Sequence, residues 1–513
     1  MPPATVANKG NDTRDIAEVE NYKKAFSICI LLFAATLALL SFPVDDGLRH
    51  LGVAFSDFRS WGEVYPFSVF QQFADYDPWF GYDFSLRLIA GLAKAIPVSL
   101  LTVKYCLIKL ITGIFLCAFL YLVTKRSKII DQIQDQSSFT VAMIILVFFL
   151  WLPLGRMTTI RPFVFGTLYL LYAIGQRGIV KGVAAAMILT FFYPYLSWFY
   201  IIPVSFAHFL KGDKRFALGS VGFIIPYLAF QPSSFWGFQA ELLNSEAVRR
   251  SIYTTSISEF AFSLSSFFFY VYLFLIFISY PFFSVNARGL NLVSLTILIY
   301  MVPGMRYIRY FIDLILPLLF VLYAREYLSL LITPYTKLVQ SWKEILEAGL
   351  LKIKSMLNLG SFRSKASKSD SEGKRRTNLK PYIVIVYVVL LSVSIITMKN
   401  EISTFRSFAE LLSPVPDKKR VLTDFNSQYR ILLVRPDLRL VPSCELGFPS
   451  PSVSEEYLGY FNRGRLGPLL RKTGSEFFLE SKSTYLDPRE TGCLKLVNES
   501  REFMVWEVSG VSD

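Results

Sequence analysis

The chain is poor in the side chains that bind metals through nitrogen or sulfur. Among 513 residues there are five cysteines and two histidines, and none of them is paired at a zinc-finger or zinc-protease spacing, which excludes those metal sites. Cys29, Cys106 and Cys117 fall in apolar runs and read as small hydrophobes. Cys444 and Cys493 lie in a polar C-terminal region, where a disulfide can form if that region faces an oxidising compartment. There is no internal repeat and no inverted symmetry in the apolar runs, which weakens a reading as a repeat-built transporter. Charge is scarce too, and acidic residues are fewer than basic ones, 39 against 53.

What fills the chain instead is apolar and aromatic mass. A composition that is 53% hydrophobic and 16% aromatic is too apolar for a soluble protein of this length. It predicts an all-α polytopic membrane bundle. The formal charge of +14 could suggest nucleic acid, but surplus Lys and Arg on a membrane protein belong first to its cytoplasmic loops. No nucleic-acid partner is expected.

Residues 1–24 are mostly polar and read as a cytoplasmic N-terminus ahead of an uncleaved anchor over 25–42. A transmembrane domain then extends to residue 398, with about eleven spans near 25–42, 98–123, 138–154, 163–176, 182–193, 197–210, 216–230, 262–284, 289–303, 310–323 and 381–398. Basic residues at the inner turns, such as Lys125, Arg126 and Lys128, alternate correctly with a first outer loop over 43–97 that carries seven acidic residues against four basic ones. The segment 324–380 has 12 Lys and Arg against five Asp and Glu, the strongest positive-inside signal in the chain. Its first part suits one amphipathic helix, and Ser361 to Asn378 has the composition of a disordered linker. With the N-terminus inside, eleven spans put residues 399–513 outside. Short β-rich runs there (420–424, 438–442, 475–479, 494–497, 503–508), alternating with helix-suited stretches such as 455–472, predict a compact α/β domain. A plasma (inner) membrane location follows.

The polar groups with chemical potential all fall on the predicted outer side. Asp45 and Asp46 follow the first span directly, and an adjacent carboxylate pair can bind a divalent cation, magnesium or manganese, or take a proton from an incoming hydroxyl. The pair can equally cap a helix or hold Arg49. Beyond Arg49 and His50, the run from Asp75 through Asp77 and Trp79 to Asp83 mixes carboxylates with aromatic rings, which suits the headgroup level or stacking against sugar faces. Arg156, Arg161, Arg306 and Arg309 break the positive-inside bias. They either neutralise the acidic first loop or clamp a phosphate, whose oxygens match the planar guanidinium fork. Asp313 lies one helical turn from Arg309.

This pattern resembles the GT-C superfamily of polytopic membrane glycosyltransferases, which use polyprenyl-phosphate-linked or diphosphate-linked sugars. The resemblance covers the architecture of roughly the first 400 residues. It implies that Asp45 and Asp46 serve as general base or metal ligands and that Arg306 and Arg309 bind the donor phosphate. The tail, with Arg420-Val-Leu-Thr-Asp-Phe-Asn426, Arg435-Pro-Asp-Leu-Arg-Leu440 and Leu469-Leu-Arg-Lys-Thr-Gly474, looks like the C-terminal domain of bacterial glycosyltransferase-like membrane proteins. Asp75 to Tyr82 is similar to the DPW-type loop of oligosaccharyltransferase catalytic subunits, but the tail has no WWD-type motif, which argues against protein N-glycosylation. The expectation is sugar transfer to a glycan, lipid or protein acceptor. The alternatives are a flippase for lipid-linked glycans, or a noncatalytic assembly protein of the same fold.

Overall fold

The structure, a computed structural model, describes residues 9–43, 46–68, 71, 77–230, 236–238, 240, 292–306, 308–356, 380–424, 427–441, 450–463, 466–482 and 493–509. It is mostly helical with a small C-terminal sheet. The helices preceding the sheet are α1 (Lys9–Leu40), α2 (Asp46–Ala54), α3 (Trp61–Val64), α4 (Phe80–Ala93), α5 (Leu100–Ser127), α6 (Gln136–Met157), α7 (Val164–Ala173), α8 (Ile179–Phe192), α9 (Ser197–Leu210), α10 (Lys214–Phe230), α11 (Leu292–Arg306), α12 (Leu316–Met356) and α13 (Lys380–Leu411).

Among the described residues, four stretches are long and apolar enough to cross a membrane: Ile16–Leu40, Leu100–Ser127, Gln136–Met157 and Phe311–Leu346. The sequence predicts eleven, and several of the others are present as shorter apolar helices: α7, α8 and α9 fall at the expected 163–176, 182–193 and 197–210, separated at Gly178, with φ 87°, and at the turn around Pro194. A helix of 14 residues such as α8 rises roughly 21 Å against roughly 30 Å of hydrocarbon. The predicted span over 262–284 lies outside the described residues, as do 357–379 in the basic loop. The span expected over 310–323 runs on without a break into α12, and the one over 381–398 continues as α13 to Leu411.

The long helices bury one another through α5, α6 and α12, where Phe119, Leu120, Leu146, Leu150 and Phe320 are fully enclosed. Leu110, Ile114, Phe148 and Trp151 on the same helices are more than half exposed, as a lipid-facing surface requires.

The C-terminal unit comprises β1 (Arg420–Thr423), α14 (Ser427–Val434), β2 (Arg439–Val441), α15 (Ser454–Arg463), α16 (Leu466–Thr473), β3 (Phe477–Ser481), β4 (Leu494–Glu499) and β5 (Phe503–Val508). Its strand order is β2-β1-β3-β5-β4. β1 lies parallel to β2 and β3, and β5 pairs antiparallel with β3 and β4. The first two of the three tail motifs fasten this unit. Asp424 accepts from the Ser427 amide at 3.0 Å and so starts α14. Arg435 forks onto Asp437 at 2.9 and 2.7 Å and donates to the Leu412 and Val415 carbonyls, both at 2.9 Å, fastening β2 to the end of α13. Cys493 is a free thiol, and Cys444, its candidate disulfide partner, lies outside the described residues.

The sheet unit sits directly on the first loop. α14 packs across α2 so closely that a Cβ on Gly52 would fall 2.3 Å from the Leu432 carbonyl oxygen. Lys104 of α5, buried, donates to the Leu433 carbonyl at 2.5 Å, which places a cation at the C-terminal end of α14, where helix carbonyls gather negative charge.

Candidate functional site

The site is built around the first turn of α2. Gly47 presses against the turn that joins α6 to α7, where a Cβ would lie 2.2 Å from the Thr159 carbonyl oxygen and from the Ile160 side chain. That turn is strained: Ile160 is β-branched yet has φ 47°, a conformation such residues rarely adopt. Its carbonyl accepts a hydrogen bond from the Tyr82 hydroxyl. The turn, preceded in the chain by Arg156 and followed by Arg161, therefore packs against the start of the first-loop helix.

The arginines converge. Arg156 donates to both oxygens of Asp313, at 3.1 and 3.4 Å, and Arg309 Nε lies 3.7 Å from Asp313 Oδ2. Asp313 is buried and sits in a single π-helical turn, Phe311–Ile315, a local distortion common at functional sites. Both guanidinium groups lie over the Phe163 ring, with carbon-to-centroid distances of 4.4 and 5.1 Å. The Arg309 guanidinium carbon also lies 5.9 Å from the Tyr310 ring centroid. Arg161 is buried one residue beyond the strained turn.

The acidic aromatic loop borders this cluster through the Tyr195 amide, which donates to the Pro78 carbonyl at 3.1 Å. Asp77 accepts from the Trp79 amide at 2.8 Å. Loss of hydration pushes the Asp77 carboxyl well above the usual carboxylate range, and the neighbouring Asp83 charge adds to that. Behind it, His50 Nδ1 donates to Asp83 Oδ1 at 2.6 Å and Trp61 Nε1 to Asp83 Oδ2 at 3.0 Å. Trp61, Trp79 and Tyr82 stand edge-on around the His50 ring.

Of the residues that the sequence singles out, Arg156 and Arg309 meet at Asp313, and Arg161 follows the same turn. Arg49 and His50 are buried. The Arg49 guanidinium lies 5.6 Å from the centroids of both Trp61 and Tyr429, so it bridges the first loop and the sheet unit. Trp79 is buried against His50 and Trp61. Asp45 and Asp75 lie outside the described residues. Asp46 opens α2 and Arg306 ends α11, but nothing is described of their side chains. Among the described residues no three His, Cys, Asp or Glu side chains gather as metal ligands. The pairing of Arg156 with Asp313, across 157 residues, and the tyrosine lining were not singled out in the sequence. The aromatic run Phe191-Phe-Tyr-Pro-Tyr-Leu-Ser-Trp-Phe-Tyr200, interrupted by one proline, was the available signal. No protein-family model matches this chain, and no curated protein matches it in sequence.

Proposed function

We propose that this protein is a membrane glycosyltransferase that moves a sugar from a polyprenyl-phosphate or diphosphate carrier to an acceptor at the outer face of the plasma membrane. One observation carries the reading: Arg156 and Arg309 share the single buried carboxylate of Asp313, beside Arg161 and directly behind the first turn of α2. The planar donor forks of guanidinium groups suit the phosphate of a lipid carrier.

In this reading the shorter apolar helices complete an eleven-span bundle of GT-C type, with the sheet unit outside. Asp45 or Asp46 takes the proton from the acceptor hydroxyl as its oxygen attacks the anomeric carbon. The bond from that carbon to the carrier phosphate breaks with inversion, and the arginines stabilise the charge that develops on the departing phosphate. A divalent cation held by the same two carboxylates would add Lewis-acid help, and no step here depends on it.

The test is turnover of a radiolabelled polyprenyl-phosphate sugar by purified protein. Asp45→Asn with Asp46→Asn is expected to lower the rate by roughly 100-fold or more while carrier binding stays near that of the wild type. Unchanged turnover in the double variant would overturn the assignment. Carrier binding by the wild type without turnover of any labelled donor favours a flippase. No carrier binding, together with tolerance of Arg309→Ala, favours an assembly protein.

A further inference from the structure

A cleft of about 890 Å³ opens between the start of the first loop, the last turns of α13 and the β4–β5 hairpin. That is near the upper end of the roughly 300–1,000 Å³ that small-molecule sites occupy. Its walls combine two chemistries. Phe42 packs on Phe405, with ring centroids 5.2 Å apart, and Phe408 stands edge-on to Phe503 at 5.3 Å, giving apolar aromatic surfaces. Between them α13 presents the exposed hydroxyls of Ser403, Thr404 and Ser407 to the cleft.

The charges of the residues that line the cleft cancel, Arg430 and Arg501 against Glu401 and Glu502, with Lys109 standing outside the lining. Arg430 faces Glu502 at 3.8 Å, while Glu401 accepts from the Tyr105 hydroxyl and lies 3.8 Å from Lys109; Arg501 completes the lining against the two carboxylates. An anionic ligand gains little here. Hydroxyls and aromatic surfaces without net charge match a neutral polyol, whose hydroxyl groups exchange hydrogen bonds and whose C–H faces lie on rings.

We infer that this cleft is the acceptor subsite and holds a neutral oligosaccharide chain. The inference rests on the glycosyltransferase reading and adds to it the class of acceptor. Position supports the role: Pro43 and Leu48 both line the cleft, and the chain between them carries Asp45 and Asp46. Gly47, in the same turn, touches the Thr159–Ile160 turn that leads to Arg156 and Arg161. Acceptor and donor thus approach the first turn of α2 from two sides.

The experiment uses the full chain in phosphatidylcholine nanodiscs and measures binding by saturation-transfer NMR. The probes are neutral linear hexasaccharides (maltohexaose, cellohexaose, N-acetylated chitohexaose), with inorganic pyrophosphate as the anionic control. At least one hexasaccharide is expected to bind. Ser407→Trp and Thr404→Trp, at exposed positions of α13 where a large side chain fills the cleft without entering the core, are each expected to weaken that binding at least roughly tenfold and leave pyrophosphate binding unchanged. Arg309→Ala is expected to do the reverse. No hexasaccharide binding by the wild type, or equal binding by both tryptophan variants, overturns the inference; so does loss of pyrophosphate or of a co-purified lipid, rather than of saccharide, when the cleft is filled. Saccharide binding is read without turnover, so it stands or falls separately from the Asp45 and Asp46 test.

Discussion

Single side chains at the site are held in protonation and pairing states that can be checked one at a time. Asp77 has its folded pKa raised by burial and by Asp83, so its neutral form is the one the fold favours. The stability contributed by that proton is fully present below the unfolded value of about 4 and is lost as pH rises through the higher folded value. Asp77→Asn keeps an oxygen for the Trp79 amide and cannot ionise. Its unfolding temperature should match the wild type at about pH 4 and exceed it at neutral and mildly alkaline pH; a less stable variant at high pH would contradict the direction. Asp313 is checked through its pairing, because removing it takes a shared carboxylate from two guanidinium groups. Asp313→Ala should cost about 3–5 kcal/mol, read by denaturant unfolding, whereas Arg309→Ala leaves Arg156 forked onto the carboxylate and costs less. Asn498, in a glycosylation sequon, donates its side-chain amide to the Leu411 carbonyl at 2.9 Å; there it closes the C-terminal end of α13.

At the scale of elements, close approach and one arginine clamp decide how helices and strands meet. The contact of α2 with α14 exists because position 52 has no side chain. Gly52→Ala gains helix propensity but must push the two helices apart, and a net loss of roughly 1–3 kcal/mol is expected, visible as faster proteolysis at the junction of the sheet unit. The Arg435 clamp joins α13 to β2. Burial alone would raise the Asp437 pKa, but the hydrogen bonds and charge of Arg435 outweigh it and hold the carboxyl below its ordinary value. The stability that follows is present above about pH 4 and is lost as pH falls through the lower folded value. Arg435→Ala should therefore destabilise the unit by about 2–3 kcal/mol at neutral pH and flatten its acid transition, measured by thermal unfolding from pH 3 to 7.

Across the whole molecule, the sheet unit is coupled to the helical bundle rather than tethered to it, through Gly52, Arg49 between Trp61 and Tyr429, and Lys104 at the end of α14. Lys104→Met keeps the stem and removes the donor, so it should loosen the unit by about 1–3 kcal/mol without unfolding the bundle, as hydrogen exchange in α14 compared with α6 would report. Much of this architecture was legible in the sequence. The five strands and the helical stretch between 455 and 472 follow from alternation and β-branched runs, since a strand's side-chain period is local. The long apolar helices α1, α5 and α6 follow from composition, and the i, i+4 pairing of Arg309 with Asp313 from helical spacing. The breaks at Gly178 and Pro194 were legible too, but not the length of the helices between them, because hydrophobicity counts apolar residues and not the helical rise they produce. The sequence by itself determined the long apolar helices and the sheet, and it singled out the arginines. Only the tertiary structure decided that Arg156 meets Asp313 and that the first turn of α2 lies between the arginine turn and a neutral cleft. Contacts across more than a hundred residues are set by packing, and packing leaves no periodic trace in the chain.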